Sequence, residues 1–298
     1  MLVPDPRGGD LRADPSADTL PDSYEPSTAA ATDLDIAYGD HDAQRIDLHF
    51  PRQSAHGAVP VVVYLHSGGW SAGHEDNVPS FVLRFIERGF AVASVGYRLA
   101  PEHPFPAAVH DVKHAIRWVK AYGDREGSID GERIVLVGSS AGGHLAAFAG
   151  ATVGTHEPAV GADLADYDSS VEAVVSAVGP TDLASFSRSG DYPAALAEDF
   201  VGCSPCDDRE LDEASPTHHL HGDLPPAYWA YGAIDALVDL DHQGIAMADA
   251  WAAASPGTPS WLDIVDGRGH NLDHASINQR HLEVFVDLVI GRNPLDLP

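Results

Sequence analysis

The amino-acid sequence predicts an α/β chain with a mostly parallel sheet covered by helices on both faces. Three observations predict it. Short, nearly continuous apolar runs recur along the chain, as strands buried on both sides require. Segments with apolar residues at helical spacing separate these runs, and strands alternating with helices make parallel crossover units. Glycine-rich turns directly follow several runs, the most informative being Gly138-Ser139-Ser140-Ala141-Gly142 after the apolar residues 133–137. With 298 residues the chain can bury a sizeable core in one large domain or two small ones.

Residues 1–32 are rich in Asp, Pro, Ser and Ala and poor in large apolar side chains, so they read as a poorly ordered or surface-draped arm. Residues 34–38 and 45–50 alternate at period two around Gly39-Asp40, which predicts an antiparallel hairpin. Residues 59–65 form a continuous apolar run, a doubly buried strand. A helix over 81–87 stops at Gly89, and 90–95 is the next strand. Val109, Val112, Ile116 and Val119 fall at helical spacing and define one apolar face. The strand before Ser140 follows, then a helix-forming stretch over 144–149 and a buried strand over 171–177. Residues 227–231 and 261–265 are the last two strands, separated by a helix over about 242–254 and followed by one over about 276–290. The region 180–224 is irregular and interrupts this rhythm, the natural place for a small insertion over a site.

Composition excludes some partners. The 45 Asp and Glu against 17 Lys and Arg give a net charge of −28, and Lys113 and Lys120 are the lysines. Such a surface repels nucleic acid and anionic membranes, so neither is expected as a partner. General solubility, the codon bias of a GC-rich genome and adaptation to high salt all remain open as its origin. The amino terminus lacks a basic patch followed by an apolar core, so no signal peptide is expected. No window approaches the roughly 20 apolar residues of a membrane-spanning helix. Cys203 and Cys206 read as two separate loop thiols of a cytoplasmic protein, with a disulfide or redox pair as the alternative.

The chemistry centres on Ser140. A serine between two glycines at a strand-to-helix turn presents its hydroxyl at the carboxyl edge of a sheet. That hydroxyl needs an imidazole to accept its proton, and the imidazole needs a carboxylate to hold its tautomer. Asp235 follows the strand ending at Tyr231, and His270 follows the strand ending at Val265. Both sit where open α/β sheets place their sites. Asp239 and Asp241 read as caps of the next helix, and His274 and His281 as surface residues beside the last one. Ser139 is the rival nucleophile but lacks the central position. Ala141, at a helix N-terminus, offers a backbone N–H to a developing oxyanion. Further donors are expected from the turn His66-Ser67-Gly68-Gly69-Trp70, where glycine lets amides face a substrate.

These motifs, with Tyr97-Arg98-Leu99-Ala100-Pro101-Glu102-His103-Pro104-Phe105-Pro106-Ala107-Ala108, resemble the α/β-hydrolase superfamily. Within it the chain is similar to hormone-sensitive-lipase-like carboxylesterases, including the acetyl-xylan and feruloyl esterase-like group. The resemblance runs from about Leu34 to the end and implies an α/β-hydrolase domain over 33–298 with 180–224 as a small lid. It implies Ser140, Asp235 and His270 as the catalytic triad and Gly68, Gly69 and Ala141 as the oxyanion hole. The resemblance implies Tyr97 and Asp111 as organisers of the scaffold beneath the site, and Trp70 is a candidate substrate-pocket residue. Two positions depart from the family pattern: Ser67 replaces the first glycine of a His-Gly-Gly-Gly run, and Ala233 replaces the first acid before Asp235. The arm lacks the apolar helical content of a full lipase-like cap, which points to a modest lid and short acyl chains.

The expected activity is therefore hydrolysis of small-molecule carboxylic esters without a cofactor, and a homodimer stays open. An arylformamidase-type amidase uses the same triad, and a non-catalytic ligand-binding relative is a third reading. His218-His219-x-His221 has no carboxylate or cysteine spacing to complete a ligand set, so no metal is expected.

Overall fold

The computed structural model describes residues 29–52, 57–272 and 277–292. Its strands are β1 (Ala29–Ala37), β2 (Arg45–Pro51), β3 (Val59–Leu65), β4 (Ala91–Val95), β5 (Ile129–Ser139), β6 (Ala173–Ala177), β7 (Ala227–Gly232) and β8 (Ser260–Val265). They form one sheet in the order β1-β2-β4-β3-β5-β6-β7-β8. The β1–β2 hairpin and the β2–β4 pair are antiparallel; all later neighbours are parallel. This is the mostly parallel sheet that the sequence predicts.

Burial explains the continuous apolar runs. Every residue of β3, β4, β6 and β7 is buried, because helices cover both faces. The helices are α1 (Ser80–Glu87), α2 (Ala107–Glu126), α3 (Ala141–Ala151), α4 (Leu183–Ser187), α5 (Asp191–Val201), α6 (Asp208–Glu213), α7 (Ala246–Ala254) and α8 (Gln279–Val289). Period-two alternation divides β3 between two cores. Val61, Val63 and Leu65 join a cluster with Val112, Ile116 and Val119 of α2 and Leu145 and Phe148 of α3. Val62 and Tyr64 join Phe81 and Phe85 of α1 and Leu282 and Phe285 of α8 on the other face. Each such fully buried side chain contributes about 1.5–3 kcal/mol.

The helix ends follow local chemistry. Gly89, at φ +78°, donates its N–H to Ile86 O after α1. Gly127, at φ +67°, ends α2 in the left-handed conformation. Asn278 caps α8 by accepting from His281 N at 3.2 Å. A π-helical turn over Leu240–Ile245 leads into α7, and Asp239 caps it by accepting from His242 N at 2.9 Å. Among the described residues no helix is long and apolar enough to cross a membrane.

Three expectations are altered. Strand β1 begins at Ala29, inside the segment assigned to the arm, and residues 1–28 of that arm lie outside the described residues. Backbone pairing to β2, with Ala31 opposite Phe50 and Thr32 opposite His49, recruits residues whose side chains carry no apolar pattern. The region 180–224 is not irregular but carries α4, α5, α6 and a 3-10 turn over Pro216–His219. Cys203 and Cys206 are not separate thiols: they form a disulfide, their Cα atoms brought to 5.0 Å by the turn that follows α5. That pairing is at odds with the free thiols that a cytoplasmic setting favours.

Candidate active site

Strand β5 stops at Ser139 and α3 starts at Ala141, so Ser140 alone must turn the chain. It does so at φ +53° and ψ −118°, a conformation that costs a non-glycine residue about 1–3 kcal/mol. Neighbouring bonds hold it there. Ser140 N donates to Ala177 O at 2.8 Å, and His144 N donates to Ser140 O at 3.0 Å. The flanking glycines are required by contact, not by flexibility. A Cβ on Gly138 would collide with the carbonyl of Gly142, and one on Gly142 would collide with Leu65 O. Gly143, which extends the same motif but is given no role of its own by the sequence, would press a Cβ to 3.0 Å from Ala177 O. Its signal was the third glycine of the run.

The loops after β7 and β8 are bound to each other. Ala233 N donates to Val265 O at 3.0 Å and Ile234 N to Arg268 O at 2.9 Å. Gly232 leaves the space through which the carbonyls of Arg268 and Gly269 pass. This fixes Asp235 beside His270. His270 Nδ1 lies 2.9 Å from Asp235 Oδ2, and Ser140 Oγ lies 2.9 Å from His270 Nε2. The carboxylate can only accept, so Nδ1–H donates to it and Nε2 is left to accept from the serine hydroxyl. Asp235 Oδ1 takes two backbone donors, Leu237 N at 2.8 Å and Val238 N at 3.0 Å. The Asp235 side chain is fully buried, whereas the His270 side chain is 28% exposed. The rivals lie elsewhere: Asp239 binds His242, Asp241 is exposed, and His274 is outside the described residues.

The turn after β3 bends through positive φ at three successive residues, +122° at Gly68, +59° at Gly69 and +59° at Trp70. Gly68 O accepts from Ser71 N at 3.1 Å and Ala72 N at 3.0 Å, which closes the turn. Because Gly142 of α3 packs on Leu65 O and His66 O, this turn emerges beside the N-terminus of α3. Gly68, Gly69 and Ala141 thus supply backbone from two adjoining segments. Tyr97 supports the turn from below: its hydroxyl donates to His66 O at 2.7 Å and its ring stacks on His66 at 4.1 Å. Asp111 anchors the next stretch, accepting from Arg98 N at 2.8 Å and Gln44 Nε2 at 2.6 Å. Trp70 offers no open surface. Its side chain is buried, stacked on Phe200 at 4.6 Å, with Nε1 donating to His144 Nδ1 at 3.1 Å.

The three closely spaced histidines do not converge. His219 Nε2 donates to Glu213 O, His218 faces Asp212 and His221 Nδ1 accepts from Asp223 N. Cys203 and Cys206 approach Glu210, but their sulfurs are bonded to each other.

Two buried imidazoles around the site make the fold sensitive to acid. Burial pushes His66 and His144 down to about 4. In the unfolded chain each titrates near 6.5, so between these values the unfolded state binds more protons and stability falls with pH. From pH 7 to pH 5 the two rings together withdraw roughly 4 kcal/mol. Urea unfolding at the two pH values is expected to show a clearly lower midpoint at pH 5; equal midpoints would contradict the neutral buried rings.

Residues 46–249 match the family model described as BD-FAE. The chain is 31% identical over 245 residues to Esterase LipC of Mycobacterium tuberculosis, covering 80% of this chain and 59% of that protein. It is 31% identical over 221 residues to the Probable carboxylic ester hydrolase LipM of the same organism, covering 71% of this chain and 50% of that one. The chain therefore spans between half and two thirds of the length of these curated relatives. Among solved structures, a truncated carbohydrate esterase from gut microbiota superposes with a TM-score of 0.76 at 24% identity, covering 89% of this chain and 98% of that one. A bifunctional GH43-CE protein of Bacteroides eggerthii gives 0.74 at 26% identity, over 89% of this chain and 38% of that one. Matched over most of its length by that family model and superposing on these structures, the chain belongs to the BD-FAE family of the α/β-hydrolase superfamily.

Proposed function

We propose that the protein is a serine carboxylic ester hydrolase acting on short-chain acyl esters. The carrying observation is the relay from Ser140 Oγ to His270 Nε2 to Asp235, with both links at 2.9 Å. The esterase names of the mycobacterial relatives support the same reading.

In this reading Ser140 Oγ attacks the ester carbonyl while His270 Nε2 takes its proton. Asp235 stabilises the imidazolium and keeps the Nδ1 proton in place. The N–H groups of Gly68, Gly69 and Ala141 bind the oxyanion, each such donor being worth about 3–4 kcal/mol of barrier. His270 returns the proton to the departing alcohol, leaving an acyl group on Ser140. Water then enters, gives a proton to His270 and releases the acid by the reverse geometry.

Crowding over the turn supports the preference for short acyl chains. Leu196 of α5 lies so close that a Cβ on Gly69 would come to 2.9 Å from its Cδ2, and Trp70 and Phe200 fill the space behind. In this reading the 180–224 segment acts as a small lid. With p-nitrophenyl esters, kcat/KM is expected to peak between acetate and butyrate and to drop about tenfold or more by decanoate. Rapid hydrolysis of long-chain triglycerides would overturn the short-chain assignment. Preferential cleavage of aryl formamides would replace the esterase by an amidase.

A further inference from the structure

One buried side chain joins the three segments around the nucleophile without taking part in the proton relay. His144 is fully buried in the first turn of α3. Trp70 Nε1 lies 3.1 Å from its Nδ1, and Ala214 O lies 2.8 Å from its Nε2. An indole N–H can only donate, so Nδ1 is the acceptor and the proton sits on Nε2, where it donates to Ala214 O. The ring is neutral under ordinary conditions because burial opposes its charge. It also packs edge-on against Trp70 at 5.1 Å and Phe200 at 5.2 Å. Its own backbone N–H closes on Ser140 O.

Trp70 is the strained member of the turn. It is the non-glycine residue that follows Gly68 and Gly69 into positive φ, and such a conformation persists only where the surroundings over-determine it. One restraint is backbone: Trp70 O accepts from Ala100 N at 2.9 Å. Another is the indole N–H on His144, which ties the turn to the helix that begins beside Ser140. Oxyanion donors work only if held at the position where charge develops, and a misplacement of about 1 Å can cost 100-fold.

We propose that His144 is a positioning residue: through Nδ1 it holds Trp70, and so keeps the Gly68 and Gly69 amides in register with Ala141 and Ser140. This rests on the esterase reading above. The tie to Ala214 through Nε2 serves the 180–224 segment and is separable from it.

The two ring nitrogens can be tested apart. Asparagine places its Oδ1 near the position of Nδ1, and glutamine places its amide N near that of Nε2. His144→Gln therefore removes the acceptor for Trp70 and keeps the donor to Ala214, whereas His144→Asn does the reverse. Trp70→Phe deletes the same bond from the other side. With p-nitrophenyl acetate, His144→Gln and Trp70→Phe are expected to lower kcat about 10- to 100-fold with KM within about twofold. The double variant should be no worse than either single one, and His144→Asn should recover most of the loss. Binding of a trifluoromethyl ketone, which mimics the tetrahedral oxyanion, should weaken in step with kcat. Loss of kcat by all three single variants alike, in proportion to a fall in thermal midpoint, would reduce His144 to a structural residue and overturn the inference. Unchanged kcat in Trp70→Phe would overturn it as well. Wild-type protein that cleaves no ester would overturn the esterase reading itself, and this inference with it.

Discussion

Replacing Ser140 by alanine is expected to lower kcat for ester hydrolysis by about four to six orders of magnitude while leaving the fold intact. Alanine keeps the Cβ and accepts the same φ of +53°, so the turn and its bonds to Ala177 O and from His144 N are preserved. Only the Oγ that faces His270 Nε2 is lost. Ser139→Ala is the matched control. Ser139 ends β5 opposite Ala177 and has no place in the relay, so its substitution should change kcat by no more than a few-fold. Burst titration with p-nitrophenyl acetate, alongside circular dichroism of both variants, separates loss of the nucleophile from loss of structure. A Ser140→Ala protein that still shows a stoichiometric burst would mean that acyl transfer runs through another group.

The sheet is readable in the sequence because burial on both faces leaves an unbroken apolar run. Val59–Leu65 and Ala227–Gly232 are buried at every position, and hydrophobicity alone marks them. Ser140 and Asp235 are readable for the same reason, since each lies just past such a run, whereas His270 follows the half-buried edge strand β8 and is marked by Gly267 and Gly269. Helices α5 and α6 are harder to see. The large apolar residues of α5, Tyr192, Leu196, Phe200 and Val201, are diluted by alanines and acids, and among its buried residues Phe200 stacks on Trp70, a contact between residues remote in sequence. Local signals were nevertheless present: Gly202 ends α5 at φ +87°, and Asp207 with Glu210 forms a reciprocal capping box on α6. The disulfide and the Trp70–His144 bond are of another kind. Two cysteines three residues apart say nothing about oxidation, and a hydrogen bond across 74 residues depends on how the turn after β3 packs against α3 within one core. The acceptor role of Nδ1 follows only once the indole is seen to face it.

Asp235→Asn is expected to reduce kcat by about 10,000-fold with little change in KM, through the tautomer of His270 rather than through any loss of contact. Asp235 Oδ1 accepts from Leu237 N and Val238 N, so an asparagine at this position must keep its oxygen there; the opposite orientation would set its NH2 against two backbone donors. Its NH2 group then faces His270 Nδ1, which has to become an acceptor. The ring proton moves to Nε2, directed at Ser140 Oγ, and the base that should receive the serine proton already carries one. A buried amide satisfied on both sides is not expected to unfold the chain, so thermal stability should change far less than activity. Asp235→Ala makes the contrast: it leaves both backbone amides without an acceptor and should lower stability by about 1–3 kcal/mol as well as activity. NMR of the imidazole nitrogens would report the tautomer directly. An Asn variant with protonated Nδ1 and lost activity would show that the carboxylate charge, not the orientation of the ring, carries the effect.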